Sequence, residues 1–196
     1  MIIRKIILGL SVAGTLVFFG MDVKQKENIL EHGTVMYIDL QVHDPRSLMQ
    51  GDYMVLHYGL PSDMLRRSRR DSSELPEKGY AVVWLDSARV AWFLRAQEQP
   101  GCQSDTEHVI KYHLHNGLPV IGPPSYFFEE GTAECFSQAR YVGVRVDESG
   151  ELLITGLYDW DFCRLHEQDL ATYREWLKNH KPPPPPPVNR RRRWFD

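Results

Sequence analysis

The chain has 196 residues, 42% hydrophobic and 25% charged, the make-up of an ordinary globular protein with room for one domain and appendages. Its formal net charge of −3 excludes a chain basic enough throughout to bind nucleic acid by charge. The charge is uneven, because residues 181–196 carry Lys181 and four arginines against Asp196 alone, a formal +4 that leaves about −7 on the rest.

The first element is the N-terminal run "MIIRKIILGLSVAGTLVFFGMDV". Arg4 and Lys5 precede an uncharged, mostly apolar stretch, Ile6 to Met21. As a helix it spans about 24 Å, against a hydrocarbon core of about 30 Å. Ile2, Ile3 and Val23 lengthen it, and Lys5 can snorkel to the headgroups. A cleaved signal peptide is the alternative. The end of the run is bulky at Phe18, Phe19 and Met21, where cleavage needs small residues, and a cut at Ser11 or Ala13 would leave too short an apolar region. Residues 1–24 are therefore read as an uncleaved anchor that crosses the bilayer through residues 6–23. The basic flank stays in the cytoplasm, which puts the remainder in the periplasm or outside the cell. Cys102, Cys135 and Cys163 then face an oxidising compartment and cannot all pair within one chain. No C-x-x-C occurs, so redox and structural-zinc motifs have no support.

Strand signals dominate from there. Residues 34–42 alternate roughly in and out. Residues 52–60 alternate too, with Tyr53, Val55 and His57 on one side and Met54, Leu56 and Tyr58 on the other. Residues 80–96 read as a hairpin about Asp86-Ser87. Residues 108–115, 125–130, 139–150 and 151–159 complete the set, with a turn over Asp147 to Gly150. Helix signals are few: residues 129–140, with Ala133, Phe136 and Ala139 or Arg140 on one face, and residues 169–180, stopped by Pro182. The charged stretch 66–79 reads as a loop. The fold class is α+β, a mainly antiparallel β domain over residues 25–165 with one or two short helices. A C-terminal helix over 166–180 and a proline- and arginine-rich tail over 181–196 follow. Six successive prolines favour a stiff polyproline rod of about 19 Å rather than a packed element. The tail's arginines, Trp194 and Phe195 suit a membrane surface or an acidic partner, or else a solvated end.

The most patterned stretch is "DPRSLMQGDYMVLHYGL", residues 44–60. Asp44 can accept hydrogen bonds from the first amides of a turn whose first position suits Pro45, and Gly51 suits a left-handed stop before a strand. "GDYMVLHY" resembles the motif that names the GDYXXLXY domain family, through Gly51, Asp52, Tyr53, Leu56 and Tyr58. "FFEEGTAECFSQARYVGVRVDESGELLITGL" (127–157) is similar to further family landmarks, among them Glu130, Gly131, Arg140 and Tyr141. The sequence departs from the pattern at Glu129, where glutamine is common, and at Val142-Gly143, where Gly-Glu is common. The resemblance implies a membrane-anchored bacterial protein of unassigned biochemical role, whose family members are often encoded near multi-pass membrane proteins. It implies a location and a partner class, not a reaction.

Several chemistries compete with a purely structural motif. "SLMQGDYMVL" is similar to the segment after the nucleophile of type I signal peptidases, but Ser47 is not at the nucleophile's place, and Lys111 is the one lysine on offer as base. Asp44, Asp52, Glu129 and Glu130 could supply an acid–base pair, or could pair with Arg46 and Arg140. His113 and His115 share a strand face without an obvious third metal ligand. The strand aromatics Trp84, Trp92, Phe93, Tyr112, Tyr126, Phe127, Phe128 and Tyr158 fit core and cross-strand pairs better than a ligand groove. The reading that results is a non-enzymatic, membrane-tethered extracytoplasmic domain that binds or steadies an envelope or multi-pass membrane partner. Asp44, Arg46, Gly51, Asp52, Glu130 and Arg140 would hold its shape and border the contact, and no cofactor or metal is called for. An envelope hydrolase and a ligand-binding β domain are the alternatives.

Overall fold

The computed structural model describes residues 2–41, 53–72, 74–101, 104, 106–129 and 133–165. It opens with the helix α1 (Ile2–His32). The strands are β1 (Thr34–Asp39), β2 (Tyr53–Val55), β3 (Lys78–Leu85), β4 (Ala91–Gln97), β5 (Glu107–His115), β6 (Leu118–Ile121), β7 (Ser125–Phe127), β8 (Tyr141–Val146) and β9 (Leu152–Tyr158), with α2 (Gly59–Asp71) after β2 and the single turn α3 (Ala133–Phe136) before β8. Every strand pair is antiparallel. The sheets run β1-β8-β9, β2-β7 and β4-β3-β5-β6. The parallel bridge of Tyr37 to Val90 and the antiparallel bridge of Leu40 to Tyr58 tie β1 to the other two layers.

Alternation sets the inner faces. Met36 and Ile38 of β1, Val142 and Val144 of β8, Ala81 and Val83 of β3 and Ile110 of β5 all lie in one buried cluster. Phe136 fills its centre, with ring centroids 4.9 Å from Phe128 and 5.7 Å from Tyr126. The hairpin at Asp86 forms as the sequence predicts, because the Asp86 carboxylate accepts the Ala88 and Val90 amides at 2.9 Å each. Asp147 does the same for the β8–β9 turn, accepting the Glu151 amide at 2.8 Å beside a left-handed Gly150.

Three predicted boundaries are corrected. Residues 66–71 belong to α2 rather than to a loop, and Gly59 and Leu60 open that helix rather than ending a strand. Leu60 and Met64, four apart, bury the inner stripe of α2. Arg66 pairs with Asp63, and Arg67 with Asp71 at 2.8 Å, so the arginine-rich face is a solvated helix face. Two apolar residues in thirteen make too faint a period to stand out against five charges. The helix ends where Ser72 turns left-handed. Over 129–140 the described helix is one turn, α3. β6 is the unanticipated strand, and its signal was the dipeptide Asn116-Gly117, whose φ values of 52° and 75° make the two-residue hairpin turn. Residues 166–180 and 181–196 lie outside the described residues.

Among the described residues no helix is long and apolar enough to cross a membrane. α1 as a whole has 31 residues, and its large apolar side chains from Leu10 to Val23 are exposed. Its end is built into the domain: Ile29 is buried, and Arg145 Nη1 donates to the carbonyls of Glu31 at 3.2 Å and Gly33 at 3.3 Å. A cation there also opposes the negative end of the helix dipole.

Because α2 is held by its apolar stripe, Met64→Ala should cost about 2–5 kcal/mol in a denaturant melt. Arg70→Ala on the outer face should change stability by less than about 0.5 kcal/mol.

Candidate functional site

The described part of the GDYXXLXY motif is Tyr53, Leu56 and Tyr58. Leu56 and Tyr58 are core residues. The Tyr58 hydroxyl donates to the Pro123 carbonyl at 2.6 Å, and burial raises its pKa well above the usual phenol range. Tyr53 pairs across the strands with Phe127, ring centroids 5.8 Å apart, and Phe127 is 75% exposed. The outer half of the motif therefore meets an exposed aromatic, while the inner half closes the core.

Arg140 and Tyr141 build a second centre. Arg140 sits just before β8, its amide donating to Tyr158 at 2.8 Å and its carbonyl accepting from Leu40 at 2.9 Å. Its guanidinium meets Asp39 Oδ1 at 2.7 Å through Nη2 and donates to the Leu40 carbonyl at 2.9 Å through Nη1. The cation lies 4.4 Å from the Trp160 ring centroid, within cation–π range. Arg140 Nε is buried and finds no acceptor among the described residues. Tyr141 stacks on Phe162 at 4.7 Å, and Phe162 meets Tyr37 at 5.0 Å.

Asp39 is the acid that sequence reasoning missed. It stands opposite Tyr141 in the β1–β8 register. A Cβ on Gly59, the first residue of α2, would come within 3.3 Å of its carboxylate. Burial pushes the Asp39 pKa up to about 6; Arg140 opposes the shift and Asp63 adds to it. Burial likewise raises Asp63, against the pull of Arg66. A carboxyl 2.7 Å from a guanidinium that still titrates near 6 has been taken largely out of water. Nothing local in "YIDL" announces a partner 101 residues away in sequence.

Asp44, Arg46, Gly51, Asp52, Glu130 and Gly131 lie outside the described residues, as does Ser47. Lys111 is exposed and faces Glu151 at 3.2 Å and Ser149 at 3.3 Å. His113 and His115 are exposed on β5, and no described group of acids, histidines and cysteines could hold a metal ion. The aromatics divide: Tyr112 and Phe128 are core, whereas Trp84, Trp92 and Phe127 are exposed. Cys135 is buried and Cys163 exposed. A shallow dent lined by Leu40, Gln41, His57 and Phe136 lies near Arg140 and is too small to be a substrate cleft.

A family model described as GDYXXLXY protein matches residues 15–157, well over half of the chain, and the chain belongs to that family. No curated protein and no solved structure matches it. The match covers both centres, from Asp39 through Tyr53–Tyr58 to Arg140–Tyr141, and leaves out the proline- and arginine-rich end.

Tyr58→Phe leaves the Pro123 carbonyl without its donor and should lower stability by about 1 kcal/mol in urea. The Asp39 pKa is raised on folding, so between about 4 and 6 the native state binds more protons than the unfolded one. Stability carried by this group should be full below pH 4, fall by about 1 kcal/mol (after allowance for solvent screening) as pH rises to 6, and level off above. Asp39→Asn should flatten that slope, as read from melts at pH 4, 5, 6 and 7.

Proposed function

We propose that this protein is a membrane-tethered extracytoplasmic domain that binds or steadies an integral membrane or envelope partner and catalyses no reaction of its own. The observation that carries the tether is α1. Its large apolar side chains from Leu10 to Val23 are exposed on a helix without a polar face over that stretch, and the sequence adds Ile6, Ile7 and Leu8 before them. Moving each such side chain from water into hydrocarbon is favourable by roughly 1.5–3 kcal/mol. Arg4 and Lys5 supply the basic flank of the cytoplasmic side. From Lys24 to His32 the helix continues without a break into the domain. At about 1.5 Å per residue this raises the domain some 13 Å above the interface. A domain on a rigid stem has a defined height and orientation over a neighbouring membrane protein. Phe127 beside Tyr53 is the aromatic anchor on that domain that best suits a partner.

The protein should stay in the membrane pellet after alkaline carbonate extraction, and Val12→Arg with Val17→Arg should release it. In intact cells an impermeant maleimide should label Cys163 from outside; labelling only after lysis would overturn the orientation. An integral membrane protein should co-purify in mild detergent, and Phe127→Asp should abolish that capture with the fold unchanged by circular dichroism. Capture that survives this substitution would rule out the Phe127 surface.

A further inference from the structure

Two groups of aromatic side chains lie on the outer faces of the sheets. On the four-stranded sheet, Trp84 and Trp92 are cross-strand partners, 41% and 48% exposed. On the three-stranded sheet, Tyr37, Tyr141, Trp160 and Phe162 form a half-buried set, with Tyr141 4.7 Å from Phe162 and 6.4 Å from Trp160. Asp86 connects the groups. Its carboxylate accepts from Trp92 Nε1 at 3.1 Å, and its charge acts on Tyr141. The neighbouring Arg89 carbonyl accepts the Tyr37 amide at 2.9 Å.

We propose that this aromatic strip is the docking site of the chain's own C-terminal segment, residues 181–195. The chemistry of that segment fits. A run of six prolines has φ preset, needs no backbone hydrogen bonds, and presents flat rings that pack on indole and phenol faces at little entropic cost. The charge fits too: residues 181–196 carry a formal +4, the remainder about −7. Asp86, Asp159 and Asp161 border the strip for the arginines that follow the prolines. The described chain also ends in the right place. Trp160 and Phe162 belong to the strip, and three residues later the Leu165 amide is tied to the Leu157 carbonyl of β9 at 2.8 Å. From Leu165 to Lys181 the connection reaches at most about 55 Å extended and about 24 Å if wound as a helix. A proline rod of about 19 Å can lie across several rings spaced 5–6 Å apart.

Limited trypsin digestion of the full-length protein in detergent tests this, with mass spectrometry timing cleavage at Arg190 to Arg193. Docking protects the arginines. Trp84→Ala with Trp92→Ala should speed release of the tail roughly five-fold, the effect of losing about one or two aromatic contacts. Cleavage elsewhere in the chain should keep its wild-type rate and so report that the fold is intact. Pro184→Gly with Pro185→Gly should act the same way without touching the domain. Equal release rates in all three proteins would overturn the proposal. Protection that grows with protein concentration would overturn it in favour of docking on a second copy. Protection that appears only with anionic vesicles would overturn it in favour of a lipid surface.

Discussion

The half-buried Arg140 guanidinium is the constraint on which the arrangement of β1, β8 and the segment after β9 depends. A cation at this depth needs its hydrogen bonds and a counter-charge. Asp39 supplies the charge, the Leu40 carbonyl an acceptor, and the Trp160 face a third contact. These three partners come from the end of β1 and from the chain beyond β9. Meeting them all draws residues 158–162 back over the sheet, where Phe162 closes on Tyr37 and Tyr141. The Asp39 carboxyl bears part of the cost, since desolvation raises its pKa despite the neighbouring cation. Such a pair is a weak source of net stability and a strong source of register, because a slip of one residue would strand both charges.

Close backbone approach is the second constraint. A Cβ at Gly143 would run into the Tyr158 ring, which lies across it on the outer face of the β8–β9 pair. The irregularity between Gly143 and Val144 falls at the same point. The departure from the family pattern at Val142-Gly143 thus coincides with the place where a neighbouring tyrosine needs the room of a missing side chain. At the other end of the sheet, Arg145 reaches the last carbonyls of α1, and Ile29 is buried beneath. The helix and the domain are therefore coupled through packing and two hydrogen bonds rather than through a linker.

Much of the fold was legible where one face of an element meets the core. The strands of β1, β3, β5, β8 and β9 announced themselves by alternation, and the turns at Asp86 and Asp147 by side chains that cap their own backbone. The motif was half legible. The inward set of Met54, Leu56 and Tyr58 follows from period two alone, but the tie of Tyr58 to Pro123 joins residues 65 apart. α2 was hidden because its buried stripe is only Leu60 and Met64 among arginines. The aromatic strip was hidden because each ring, read by itself, fits a strand core equally well.

By itself the sequence determined the strand faces, the tight turns, the apolar N-terminal run and the family motif. These are local properties, set by side-chain period, φ preference and hydrophobicity over a few residues. Only the tertiary structure decided that Asp39 answers Arg140, that Trp160 and Phe162 fold back on Tyr141, and that Arg145 seats the end of α1. Those contacts join residues as much as 123 apart in sequence. What selects them is the cost of leaving a buried charge or carbonyl without a partner, which no local pattern in the sequence records.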